Sequence, residues 1–121
     1  EIGSVSVASL DEFCAHHHLT KIDVLKIDTE GGDLDVLRGA RRMLSSSRIG
    51  VVQVEAGMHD ANARHVPFAS FVQLLEAEFG YRLFGIYDQV DEMKSKMPIL
   101  RRVNPVWVSP TVIATSIEMS R

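Results

Sequence analysis

Two short apolar runs rich in β-branched residues, IDVLKID at 22–28 and IGVVQVE at 49–55, flank a stretch with helical spacing. They constrain this chain more than anything else in it. Seven residues are too few for an ordinary helix, and near-continuous apolarity is the pattern of strands covered on both faces. A strand, a helix and a second strand form the crossover that parallel pairing requires. This predicts an α/β fold with helices on both faces of the sheet and 22–28 as its central strand. Ligands of such sheets gather at the carboxyl ends of the strands, so the residues following each run are the first candidates for function.

The joint after the first run, LKIDTEGGDLDVLRGA at 25–40, packs acids and glycines where a strand gives way to a helix. Asp28 ends the strand, Glu30 follows two residues on, and Gly31 and Gly32 allow close approach of backbone. Asp28 or Thr29 can serve as a helix cap and the glycines as a turn. Capping alone does not explain both acids, because carboxylates are costly to desolvate unless something uses them. Lys26 shares a strand face with Asp28 and Val24. On a doubly covered sheet it would be buried and paired with Glu55 or Gln53; otherwise it reaches past the sheet edge to water. Glu55 closes the second run as Asp28 closes the first, so two neighbouring strands bring acids to one rim. His59 and Asp60 follow within reach, and His59 has the imidazole suited to general-base work, although a loop histidine without a role fits as well.

The remaining pattern fills in the layers. Ser9-x-x-Glu12 is a capping box that predicts a helix over about 10–18, with Leu10, Phe13 and Cys14 on one face. Leu34, Leu37, Ala40 and Leu44 form a stripe, with acids in the first turn and arginines toward the end, as the helix dipole favours. Ser45–Ser47 breaks that helix. After the loop AGMHDANARHV, Pro67 opens a helix carrying Phe68, Phe71, Val72, Leu75 and Phe79, and Gly80 ends it. YRLFGIYD at 81–88 and VNPVWVSPTVIA at 103–114 read as two more strands, and the charged MKSKM between them as an exposed loop.

With 121 residues, 45% apolar and 24% charged, the chain has the composition of one ordinary globular domain. A net charge of −3, without basic runs, argues against nucleic acid and anionic membranes as partners and leaves small molecules or proteins. The single Cys14 excludes an internal disulfide, suits an apolar core position, and points to a reducing, cytoplasmic setting. No metal-ligand spacing appears, since the consecutive His16, His17 and His18 point in different directions on a helix and read as a solvated end. No apolar run approaches the roughly 20 residues of a membrane span. The strand-like SVSV so close to Glu1 reads as a piece of a longer protein.

Lys26, Ile27, Asp28, Glu30, Gly31, Leu37, Gly39, Ala40, Val54 and Glu55, in that order, resemble the FkbM-type family of S-adenosylmethionine-dependent methyltransferases, whose pattern runs K-I-D-x-E-G, then L-x-G-A, then a strand ending in V-E. SVASLDEF is similar to the family's entry into its helix. The likeness covers most of 5–57, and beyond residue 65 only element order supports it. It implies a Rossmann-like class I methyltransferase sheet, of which this chain supplies strands four to seven, so that 1–121 is the C-terminal portion of one methyltransferase domain. It also implies S-adenosylmethionine as cofactor, O-methylation of a small-molecule or sugar hydroxyl, and inactivity of these residues alone, because the glycine-rich first loop is not among them. On that template Asp28, Glu30 and His59 are the catalytic candidates, Asp28 and Gly31 the cofactor-binding ones, and no metal is called for. Strand four would carry an unpaired edge, open to homodimerisation or extra chain.

Two other readings compete. IDVLKID also looks like the metal-binding strand of EAL-type phosphodiesterases, but the other segments of that family are absent. A non-catalytic α/β binding module, or a receiver-like signalling domain with an acid at a strand end, is the alternative outside enzymes.

Overall fold

A computed structural model describes residues 3–92 and 97–121. Helix α1, Leu10–His16, starts where the sequence predicts, with the Ser9 hydroxyl accepting from Glu12 N–H at 3.1 Å. Strand β1, Ile22–Lys26, leads through residues 27–32 to two short helices, α2, Asp33–Arg38, and α3, Arg41–Ser45. The single helix expected over this stretch is interrupted at Gly39 and Ala40. Asp11 explains the restart, because its carboxylate accepts from the backbone N–H groups of Arg42 and Met43 at 2.8 and 3.1 Å. Side-chain capping of this kind satisfies amides that otherwise have no intrahelical partner.

Strand β2, Ile49–Gln53, pairs with β1 in parallel, Val24 opposite Val51 and Lys26 opposite Gln53. Two-residue strands β3, Ala56–Gly57, and β4, Val66–Pro67, open and close the segment predicted as a loop, and Pro67, expected in the helix, precedes its first residue Phe68. A long antiparallel pair follows, β5, Arg82–Glu92, and β6, Met97–Val108. β6 also runs antiparallel to β2 and β3, and the order is β1-β2-β6-β3-β4, with β5 on the other edge of β6. The register of β6 with β2, Gln53 opposite Val106, resumes with β3, Ala56 opposite Val103. β2 and β3 are therefore one strand interrupted at Val54 and Glu55. Pro105 stands opposite the gap; it accepts from Val54 N–H but has no N–H to return.

The core lies on one face of this sheet. Ile27, Val52, Val54, Val103 and Trp107 are buried against Cys14, Leu37, Ala40, Leu44, Phe71 and Leu75. Helix α4, Phe68–Phe71, continues into a π-helical segment, Val72–Glu78, whose wider turn puts Leu74 on the buried side with Phe71 and Leu75. Gly80 ends it at φ 74°, as expected. Phe68 stacks on Trp107 with ring centroids 5.7 Å apart, and the indole N–H donates to Glu76 Oε2 at 3.2 Å.

Several expectations need correction. The run 22–28 is not covered on both faces and is not central: β1 pairs only with β2 among the described residues, and Val24 is 62% exposed. Lys26 is exposed and makes no ion pair among the described residues, so the buried pairing with Glu55 or Gln53 does not form. Phe13 turns outward from α1 while Cys14 is buried. The strand predicted over 103–114 stops at Val108, where Ser109 and Pro110 begin helix α5, Pro110–Met119, with the Ser109 hydroxyl accepting from Val112 N–H. Ser-Pro is a cap followed by a first-turn proline, a signal that outweighs the β-branched residues after it. Helices do occupy both sides, but among the described residues α5 alone stands opposite the core, sharing a groove with Val24 and Val51. The loop expected at MKSKM falls mostly on residues 93–96, outside the described residues. No helix among the described residues is long and apolar enough to cross a membrane.

Tyr81 is fully buried and its hydroxyl donates to Ile49 O at 2.5 Å. Burial lifts its pKa from 10.0 to about 12, against the lowering effect of that bond. Between those values the unfolded chain has released the proton and the folded chain has not, so stability falls as pH rises through this window. Alkaline titration of unfolding should show that loss between pH 10 and about 12, and Tyr81→Phe should flatten it; an unchanged slope would remove Tyr81 as its source.

Candidate active site

The crevice at the carboxyl ends of β1 and β2 exists because the two strands part there. Ile27 N–H makes the last bond to β2, at Gln53 O, and the chain then turns away. Asp33 takes its place. Its Oδ2 accepts from Glu55 N–H at 3.1 Å, and Oδ1 accepts from Thr29 N–H at 3.2 Å and from the Thr29 hydroxyl. The residue is 1% exposed. A carboxylate buried to that degree is stable only when donors surround it. Neither Asp28 nor Thr29 caps α2; Gly32 occupies the cap position without a side-chain bond.

Asp28, Glu30 and Glu55 line this crevice together with Lys26, Gln53 and Asn104, and its volume is about 200 Å³. One oxygen from each of the three acids lies within 4.8 Å of the others. Like charges so close repel, and the arrangement favours a bound cation or a hydroxyl shared between them. Glu30 sits at φ 56° and its carboxylate reaches Arg64 Nε at 3.5 Å. Gly31, at φ 113°, lies against the loop from Met58 to His65: a Cβ there would stand 2.6 Å from Arg64 O. The space above Gly31 is thus filled by protein backbone, and the glycine serves the contact between two loops.

Glu55 is the best anchored of the three acids. Its Oε1 meets Arg102 Nη1 at 3.1 Å and His65 Nε2 at 3.3 Å. His59 does not join them. Its Nε2 faces Glu92 Oε1 at 3.0 Å, its Nδ1 accepts from Ala61 N–H at 3.1 Å, and Glu92 also meets Arg101 Nε at 3.4 Å. Both ring nitrogens of His59 are engaged outside the crevice.

The geometry thus brings Asp28 and Glu30 together with Glu55, as two strands ending on one rim require, and leaves His59 apart. The family model for the methyltransferase FkbM domain matches residues 3–83. The chain belongs to that family. No curated protein and no solved structure matches it. The FkbM match includes both acid-bearing strand ends and extends past residue 65 to the start of β5. It sets aside the phosphodiesterase and receiver readings.

Sequence reasoning missed Asp33, His65 and Arg102. Asp33 looked like an ordinary first-turn acid, and Thr29 four residues earlier was the available hint of a closed turn. Asn62 three residues before His65 was a comparable local signal. Arg102 had none, because it reaches Glu55 only through the antiparallel return of β6.

Asp33→Ala should lower the unfolding free energy by about 3 kcal/mol, read as a shifted urea midpoint at unchanged slope, because buried donors lose their acceptor. A loss below about 1 kcal/mol would show that water replaces the carboxylate. Gly31→Ala should cost roughly 1–3 kcal/mol by forcing a side chain into left-handed backbone against Arg64 O; wild-type stability in thermal unfolding would mean the two loops separate freely.

Proposed function

We propose that these residues form the acceptor side of an S-adenosylmethionine-dependent O-methyltransferase site acting on a hydroxyl of a small molecule or sugar. In this reading, the chain is the C-terminal portion of a Rossmann-like class I domain working in the cytoplasm. The single observation that carries the reading is the set of three carboxylates at the ends of two parallel strands in a chain of the FkbM family.

The donor set suits the charged end of the cofactor. Carboxylates of Asp28, Glu30 and Glu55 complement a sulfonium and an ammonium group. A crevice of about 200 Å³ is smaller than the roughly 300–1,000 Å³ of ordinary ligand sites, so these residues fit the sulfonium end and the acceptor hydroxyl rather than the whole nucleoside. When bound, S-adenosylmethionine would supply an electrophilic methyl for the acceptor oxygen, with Asp28, Glu30 and Glu55 holding its charged end. Asp28, exposed at the mouth of β1, takes the hydroxyl proton and complements the sulfonium. Glu30, tied toward Arg64, adds negative potential and narrows the approach. Most of the remaining rate gain comes from holding oxygen and methyl in line.

The bare edge of β1 supports the partial-domain reading. A strand whose outer N–H and C=O groups have no strand partner among the described residues invites pairing, by further strands of the same protein or by a second copy. Loss of the cofactor's other contacts would then leave these 121 residues inactive alone.

Calorimetry with S-adenosylmethionine should show binding by the full-length protein and little by residues 1–121. In the full-length protein, Asp28→Asn should lower methyl transfer by about 100-fold or more. Unchanged transfer would take the proton-accepting role from Asp28, and tight binding to the 121 residues would remove the partial-domain reading.

A further inference from the structure

Glu55 is held in a way that its two neighbouring acids are not, and this extends the methyl-transfer reading on which it rests. Both contacts of its carboxylate fall on Oε1; no hydrogen bond or ion pair reaches Oε2 among the described residues. His65, with only 4% of its side chain exposed, makes one of those contacts and is itself fixed from behind. Its Nδ1 lies 3.2 Å from both amide atoms of Asn62.

The surroundings of Asn62 decide which atom it offers. Its Nδ2 donates to Arg101 O at 2.9 Å, which orients the amide, and its Oδ1 accepts from the backbone N–H groups of Arg64 and His65 at 3.2 and 3.3 Å. The oxygen's two acceptor positions are filled, while the nitrogen keeps a second hydrogen. That hydrogen goes to His65 Nδ1. With Nδ1 accepting there, a neutral ring would carry its proton on Nε2 and donate it to Glu55 Oε1, the tautomer being set by the bond made at the other nitrogen.

We infer that Asn62 and His65 are positioning residues that lock the Glu55 carboxylate, so that its Oε2 accepts a hydrogen bond from a second hydroxyl of the acceptor, beside the one whose proton Asp28 takes, and aims that reacting oxygen at the methyl. Among the described residues, Arg102 is the permanent cation paired with Glu55. The half-buried amide and the buried imidazole behind Glu55 add direction, which a guanidinium on a long stem does not supply. Direction matters because a misplacement of about 1 Å in a displacement geometry can cost roughly 100-fold in rate.

The test is kinetic and spectroscopic. In the full-length protein, S-adenosylhomocysteine release is followed with a panel of sugar and small-alcohol acceptors. His65→Leu should lower kcat about 10-fold or more with the KM for S-adenosylmethionine within about twofold, as expected for lost orientation rather than lost binding. His65→Gln places an N–H where Nε2 stood and should recover most of that loss, which a merely structural histidine would not predict. In the 121-residue chain, long-range ¹H–¹⁵N spectra should show His65 as the Nε2–H tautomer, and Asn62→Ala should release it into a mixture. A wild-type kcat in His65→Leu, failure of His65→Gln to recover activity, or an Nδ1–H tautomer overturns the positioning role and leaves the methyltransferase reading standing. Absence of S-adenosylhomocysteine release by the wild-type protein with every acceptor overturns both.

Discussion

The buried carboxylate of Asp33 is the interaction on which the rest of the structure depends. Where β1 leaves the sheet, the backbone of β2 loses its neighbour, and Glu55 N–H would face an apolar interior unpaired. Asp33 supplies the missing acceptor and, with its other oxygen, gathers the amide and hydroxyl of Thr29. A side chain thus substitutes for a strand. It lets two parallel strands part without leaving a buried polar group unmatched, which is the condition for a crevice in a small sheet.

Everything that gives the crevice its chemistry is arranged around that parting. Glu55 stands at the break between β2 and β3, next to Val54, whose partner Pro105 accepts a hydrogen bond but has none to return. The loop carrying Asp28 and Glu30 is pressed against Arg64 at Gly31, and Glu30 pairs with the Arg64 guanidinium. His65 and Arg102 then converge on one oxygen of Glu55. The acids differ in consequence: Asp28 and Glu30 are exposed, while Glu55 is half-buried and held by two partners.

The FkbM family assignment and the bare edge of β1 bear on each other. Val24 is an apolar residue on a strand with one strand neighbour among the described residues, and its face lines the groove beside α5. The same β-branched run that reads as doubly covered is half open here. Its composition is right for a central strand, and what it lacks is a neighbour. The one mistaken strand assignment nearby, 109–114, has a different cause. Val, Ile and Thr favour strands, but Ser109 and Pro110 nucleate a helix, and the local cap wins because it satisfies amides that the β-propensity of side chains cannot.

The sequence by itself determined the alternation of strand and helix, the placement of Asp28, Glu30 and Glu55 at strand ends, the Ser9 cap, the Gly80 stop and the core role of Cys14. Each of these is written in residues a few positions apart, where spacing and capping act directly. Only the tertiary structure decided that β6 returns antiparallel beside β2, that Arg102 and His65 meet Glu55, that Asp33 is buried rather than dissolved in water, and that His59 turns to Glu92. Those outcomes depend on register between strands distant in the chain, and register is chosen by the summed packing of both faces, a quantity no local pattern contains.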